Sequence, residues 1–157
     1  MKTLTLVVSL ALLSPLSAVE TTRQIQALQV TPSDAKAIDA AISVADQFQT
    51  ALDNGDSVKA LLLVYQVEVD DYGSNKKKMP IHQQLQVTAE IERRKALGKT
   101  LERILTDVSV STTDVALNGG RFITLTYQLN FEKKTGVSQT VVVKADGDQA
   151  NTVIRAY

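Results

Sequence analysis

The chain has no cysteine and no tryptophan, and its 157 residues include a single histidine, three prolines and seven glycines. Without cysteine there can be no disulfide, no thiolate metal site, no cysteine nucleophile and no lipid-bearing cysteine of the bacterial lipoprotein kind. One histidine leaves carboxylate-rich arrangements as the remaining route to a metal. Asp70 and Asp71 are adjacent rather than at a ligand spacing, so neither a metal nor another cofactor is implied. A basic excess is also missing, since 17 Lys and Arg face 17 Asp and Glu, and nucleic-acid binding usually rests on such an excess. No Asn opens an N-x-Ser/Thr acceptor site. There is no G-x-S-x-G nucleophile motif, no phosphate-binding glycine loop and no EF-hand loop.

A long charge-free apolar run occurs once, at the start. Met1 and Lys2 precede Leu4 to Leu13, Pro15 breaks the run, and Ser17 and Ala18 supply small residues for cleavage. Residues 1–18 therefore read as a secretory signal peptide, too short to span a bilayer at roughly 20 residues. With no second such run, the mature chain is expected to be soluble, periplasmic or secreted, and without a transmembrane segment. Cleavage would leave about 139 residues, with 16 basic and 17 acidic side chains. That suffices for one disulfide-free domain over 31–157, preceded by a flexible lead-in over 19–30 holding at most a short ordered piece.

What is present changes rhythm at Gly98. Thr31, Pro32, Ser33 and Asp34 form a helix start, and Ile38, Ala41, Ile42, Ala45, Phe48 and Leu52 follow at steps of three and four up to a stop at Asn54 and Gly55. Asp56 caps a second helix from Val58 to about Gln66, with helix and strand competing over 64–69. Gly73 to Lys78 is a polar loop with three consecutive lysines. Pro80 opens a third helix to Leu97, whose thin apolar face of Ile81, Leu85, Ala89 and Ile91 puts it on the outside of the sheet. Beyond Gly98, Leu101 to Thr113 reads as a bulged strand, Asn118-Gly119 as a hairpin turn, and Ile123, Leu125, Tyr127, Leu129 and Phe131 alternate with a mixed face. Turns at Lys133 to Gly136 and Asp146 to Asp148 separate strands over Val137 to Ala145 and Thr152 to Tyr157. The expected class is α+β: about three helices (33–97) on a curved four-stranded antiparallel meander (101–157).

Four segments carry a resemblance: LDNGD at Leu52 to Asp56, RKALGKTLER at Arg94 to Arg103, GGRFITLTYQLNF at Gly119 to Phe131, and the aromatic end at Tyr157. On these the chain resembles a family of exported bacterial domains of unknown function in the cystatin-like, nuclear-transport-factor-like superfamily. The resemblance implies a curved sheet wrapped around a long helix, leaving a cone that in some relatives is a ligand pocket or active site. It implies no activity, because the same cone serves isomerases, dehydratases, dimerisation modules and scaffolds.

Candidate residues each have two readings. His82 is either a general acid or base, or a polar residue in a helix's first turn. Asp70 and Tyr72 are either an acid and a tyrosine at the mouth of the cone, as in relatives that transfer protons, or part of a polar loop. Arg103 either points inward, to hold an anionic ligand or to pair with an internal acid such as Glu102's neighbour on the sheet, or shares with Arg94 the task of meeting helix-end carbonyls near Gly98. Tyr65, Tyr127 and Tyr157 either converge to line a ligand pocket or pack as core. Lys76, Lys77 and Lys78 either touch an anionic surface or are simply solvated.

The leading expectation is a non-enzymatic exported domain that binds a ligand or protein through its concave sheet, pairs with itself sheet to sheet, or meets another envelope protein. One rival is a small cone-type lyase, isomerase or hydrolase using Asp70 or His82 with a tyrosine, and it requires a hollow cone. The other is a structural or stress-related envelope protein.

Overall fold

The computed structural model describes residues 19–24, 32–65, 81–111, 121–146 and 149–156. Its elements are β1 (Thr21–Arg23), α1 (Pro32–Asp53), α2 (Ser57–Tyr65), α3 (Ile81–Leu97), β2 (Thr100–Ser111), β3 (Arg121–Phe131), β4 (Val137–Asp146) and β5 (Gln149–Ala156). The chain is α+β, with the change from helix to strand at Gly98. The expected hairpin at Asn118-Gly119, the lysine loop and residues 66–69 lie outside the described residues.

α1 forms because its small and aliphatic residues recur on one face. Ala37, Ala41, Ala45, Phe48 and Leu52 are all buried, and each larger side chain contributes roughly 1.5–3 kcal/mol on leaving water. It ends where Gly55 takes φ 69°. There the Gly55 amide donates to the Leu52 carbonyl at 3.1 Å and the Asp56 amide to the Ala51 carbonyl at 2.8 Å, the paired closure of a Schellman stop. Asp56 then caps α2, its Oδ1 accepting from the Lys59 amide at 3.0 Å.

The sheet has the order β1-β2-β3-β4-β5. β2 to β5 form the expected antiparallel meander. The expectation of four strands is corrected by β1, which lies parallel to β2 with Thr21 opposite Arg103. Side chains fix it there as much as the ladder does, because Thr21 Oγ1 donates to Asp46 Oδ1 at 2.7 Å on α1. The sheet stays open and does not curl into a cone. Phe48, Leu125 and Leu129 lie in one apolar core between α1 and the sheet.

Two irregularities shape the interior. β2 carries register shifts between Thr100 and Glu102 and between Leu105 and Asp107. These bulges keep Thr100, Arg103, Leu105 and Val108 all buried despite uneven spacing. The third helix also presents a face other than the one expected. Leu85 is 63% exposed, while Val87, Ile91 and Arg94 are buried, and α3 lies against α1 and α2. Its inward stripe includes charged residues, which a count of apolar positions cannot register. No described helix is long and apolar enough to cross a membrane.

Candidate functional site

All five buried polar side chains among the described residues (Gln49, Arg94, Thr100, Arg103 and Gln139) belong to one cluster. The elements deliver them by their own periods. On α1, Asp46, Gln49 and Asp53 fall at i, i+3 and i+7, hence on one face. On α3, Glu90 and Arg94 are a helical turn apart. β2 contributes Thr100 and Arg103 through its bulges, and β4 contributes Gln139 from an inward position.

Asp53 is the centre. Its Oδ1 accepts from Arg94 Nη1 at 2.5 Å and from Thr100 Oγ1 at 2.8 Å, and its Oδ2 from Arg103 Nη2 at 3.0 Å. A carboxylate at the last residue of a helix faces the negative end of the helix dipole. Two guanidiniums and a hydroxyl offset that penalty. Arg94 also donates to the Gln49 side chain and to Gln139 Oε1, and its Nε donates to Glu90 Oε1 at 3.0 Å. Gln49 Nε2 donates to Gln139 Oε1 at 2.6 Å, and Gln139 Nε2 to Glu90 Oε1 at 3.1 Å. The Arg94 guanidinium carbon stands 6.0 Å from the centre of the Phe131 ring, within cation–π range. On the other flank, Arg103 Nη1 lies 3.7 Å from Asp46 Oδ1.

Glu90, Arg94, Asp53, Arg103 and Asp46 thus alternate in sign along a chain that ties α3, α1 and β2 together. Burial alone would push the Glu90 carboxyl up, but hydrogen bonds from Arg93 and Arg94 outweigh it and hold Glu90 below its ordinary range. The same hydrogen bonding, donated by Arg93 to Glu90, raises Arg93. Tyr127 is fully buried, and burial first, then the Asp46 charge, raises its phenol far above its ordinary value, with Arg103 acting in the opposite sense.

Arg103 does point inward, as the ligand reading requires, and its partners are Asp53, Asp46 and Thr21. Arg94 divides its donors among the Glu90 and Asp53 carboxylates, the side-chain oxygens of Gln49 and Gln139 and, at 3.5 Å, the Gln49 carbonyl of α1, and Arg103 donates to Asp53 and Thr21. The helix-end carbonyls of α3 are instead met by Lys133, whose amide donates to the Leu97 carbonyl and whose Nζ donates to that of Ala96, both at 3.1 Å. Tyr127 is core. Tyr65 ends α2 and His82 lies in the first turn of α3. Asp70, Tyr72, Tyr157 and Lys76 to Lys78 lie outside the described residues. Sequence reasoning missed Asp46, Gln49, Asp53, Glu90 and Gln139, although the i, i+4 spacing of Glu90 and Arg94 is a readable ion-pair signal.

Two clefts flank Arg103 between α1 and the strand edge. One, of about 570 Å³, is lined by Thr21, Asp46 and Thr50; the other, of about 740 Å³, by Asp53, Lys99 and Thr100. Among the described residues, no group of three His, Asp or Glu side chains comes together as a metal site. Comparison with protein-family models, characterised proteins and solved structures finds no match.

Proposed function

We propose that the chain is an exported, non-enzymatic interaction domain of the cystatin-like, nuclear-transport-factor-like superfamily, and that it pairs with a second copy through the outer face of its sheet. The observation that carries this reading is that outer face. Thr124, Thr126, Gln128, Thr140 and Val142 share it, because they alternate with the buried Ile123, Leu125, Tyr127, Val141 and Val143. Every described helix packs on the other side or against another helix. A sheet with one face on the core and one mixed face on which no described helix packs is suited to packing on another sheet.

The rim favours a second copy as the occupant. Glu102 on β2 and Lys144 on β4 share the outer face and stand at diagonally opposite corners, with Asn130 beside the first and Phe122 beside the second. A two-fold axis exchanging those corners sets acid over base twice. The inner side supports the non-enzymatic part, since Phe48, Leu125 and Leu129 are packed together where a catalytic cone needs space, and the ions beside them are paired with one another. The order of three helices followed by a meander supports the superfamily, with α1 packed on the inner face of the sheet.

Sedimentation equilibrium tests this reading. The parent chain is expected to dimerise, and Thr126→Arg at the centre of the face to yield a monomer with an unchanged melting temperature. A parent chain that stays monomeric at hundreds of micromolar would overturn it.

A further inference from the structure

The pair Asn-Gly occurs twice in the chain, at Asn54-Gly55 and at Asn118-Gly119. The first sits against the buried cluster. It closes α1 directly after Asp53, the carboxylate shared by Arg94, Arg103 and Thr100. Asn54 and Gly55 are both exposed. Where a Cβ on Gly55 would stand, the nearest atom is Lys95 Cε at 3.7 Å, so neither a side chain nor a close neighbour crowds this glycine.

An asparagine carboxamide followed by glycine is an electrophile beside the least hindered peptide nitrogen a chain can offer. Once the Gly55 amide gives up its proton to solvent, its nitrogen can attack Asn54 Cγ. The new N–C bond closes a succinimide ring, the old bond from Cγ to the side-chain nitrogen breaks, and that nitrogen leaves as ammonia with a proton from solvent. Water then opens the ring at one carbonyl or the other. Aspartate or isoaspartate results, with no cofactor and no further side chain required.

The fold governs how fast this happens. In the folded chain the Gly55 amide donates to the Leu52 carbonyl at 3.1 Å, flanked by the Asn54 amide on Thr50 at 3.1 Å and the Asp56 amide on Ala51 at 2.8 Å. A nitrogen whose proton is held this way neither loses it readily nor turns toward Cγ, so attack waits for the helix end to fray. Asp53 restrains that fraying, because it ties the last residue of α1 to α3 through Arg94 and to β2 through Arg103. The product acts back on the same tie. It sets a second carboxylate beside Asp53 at the negative end of α1, and isoaspartate also routes the backbone through an extra methylene, which displaces the paired closure at Gly55 and Asp56.

We propose that Asn54-Gly55 is a spontaneous modification site, gated by the Asp53 cluster, whose conversion to isoaspartate irreversibly loosens the junction of α1, α3 and β2. It lies at the end of α1, on the other side of the sheet from the dimer face, and stands or falls separately from it.

Peptide mapping of protein held in mildly alkaline buffer reads the site, with isoaspartate detected by enzymatic methylation of its carboxyl group. Acid is expected to accumulate at position 54 of the folded parent about tenfold more slowly than in urea, the worth of the one hydrogen bond that holds the Gly55 amide. Arg94→Lys, which weakens the cluster, should narrow that gap several-fold. The isolated isoaspartate form should melt below both the parent and Asn54→Asp, which carries the charge without the extra methylene. Asn54 left intact in the folded parent after the urea-unfolded chain has converted would overturn the proposal. So would equal rates in buffer and urea, a rate unmoved in Arg94→Lys, or an isoaspartate form that melts with the parent.

Discussion

Arg94 and Arg103 share one carboxylate, each taking a different oxygen of Asp53, at 2.5 Å and 3.0 Å. The two arginines come from a helix and a strand, and the acid sits at the end of another helix. One residue therefore joins three elements.

Replacing Arg94 tests the weight of that junction. Arg94→Met leaves Glu90, Gln49 and Gln139 without their common donor, and breaking one partner of a buried ionic cluster costs about 3–5 kcal/mol. Arg94→Lys keeps the charge but loses the planar fork, and is expected to cost about 1–2 kcal/mol. Urea denaturation should show both as lowered midpoints, in that order.

Acid should loosen the same cluster through Glu90. Its carboxyl titrates below its ordinary range in the folded chain, so the unfolded chain takes up the proton first as pH falls. The stabilisation is whole above the unfolded carboxylate value near 4.3 and is lost as pH drops through the lower folded value. Melting temperatures between pH 7 and pH 3 should fall less steeply for Glu90→Gln than for the parent. Parallel curves would exclude Glu90 as a source of the acid response.

The two helix-ending glycines should differ. Both have positive φ, 69° at Gly55 and 85° at Gly98. A Cβ at Gly55 meets its nearest atom, Lys95 Cε, at 3.7 Å, but one at Gly98 meets Glu132 Oε2 at 2.6 Å. That oxygen accepts from the Lys99 amide at 3.0 Å. Gly55→Ala should cost about 1 kcal/mol, from the backbone alone. Gly98→Ala should cost about 2–3 kcal/mol, because it also displaces a hydrogen-bonded carboxylate. Glu132→Ala in the same chain should offset part of that loss in a double-mutant cycle.

At the sheet edge, Thr21→Val removes the hydroxyl that donates to Asp46 and accepts from Arg103. The expected cost is about 1 kcal/mol. Hydrogen exchange should locate it, because the Gln24 amide, which donates to the Leu105 carbonyl at 2.9 Å, should lose protection before the core of β3 does.

Much of the architecture was legible where one physical signal dominated. The helical steps from Ile38 to Leu52 and the alternation from Ile123 to Phe131 each have a single interpretation, since one apolar face must be covered. Gly98 was legible because a charged helical run ended there and alternation began. The parallel strand was not, because Thr21-Thr22-Arg23 has no period, and what holds it is a hydroxyl bonded to an acid 25 positions away. The inward face of α3 was misread for a related reason. Apolar counting favoured Leu85 and passed over Arg94, which is buried because Asp53, Glu90 and Gln139 are there to receive it. Arg103 could be singled out as an inward candidate, yet its partners could not, since pairings 50 positions apart leave no local mark.

The parallel strand also sets an order of events in time. Thr21 leaves the ribosome 82 positions ahead of Arg103, the residue it will lie beside. The first extended segment made must therefore wait, unpaired, through the synthesis of every helix. Non-local pairing of this kind is slow and leaves an edge exposed meanwhile, so this seam cannot begin to close until the described helices have all been made.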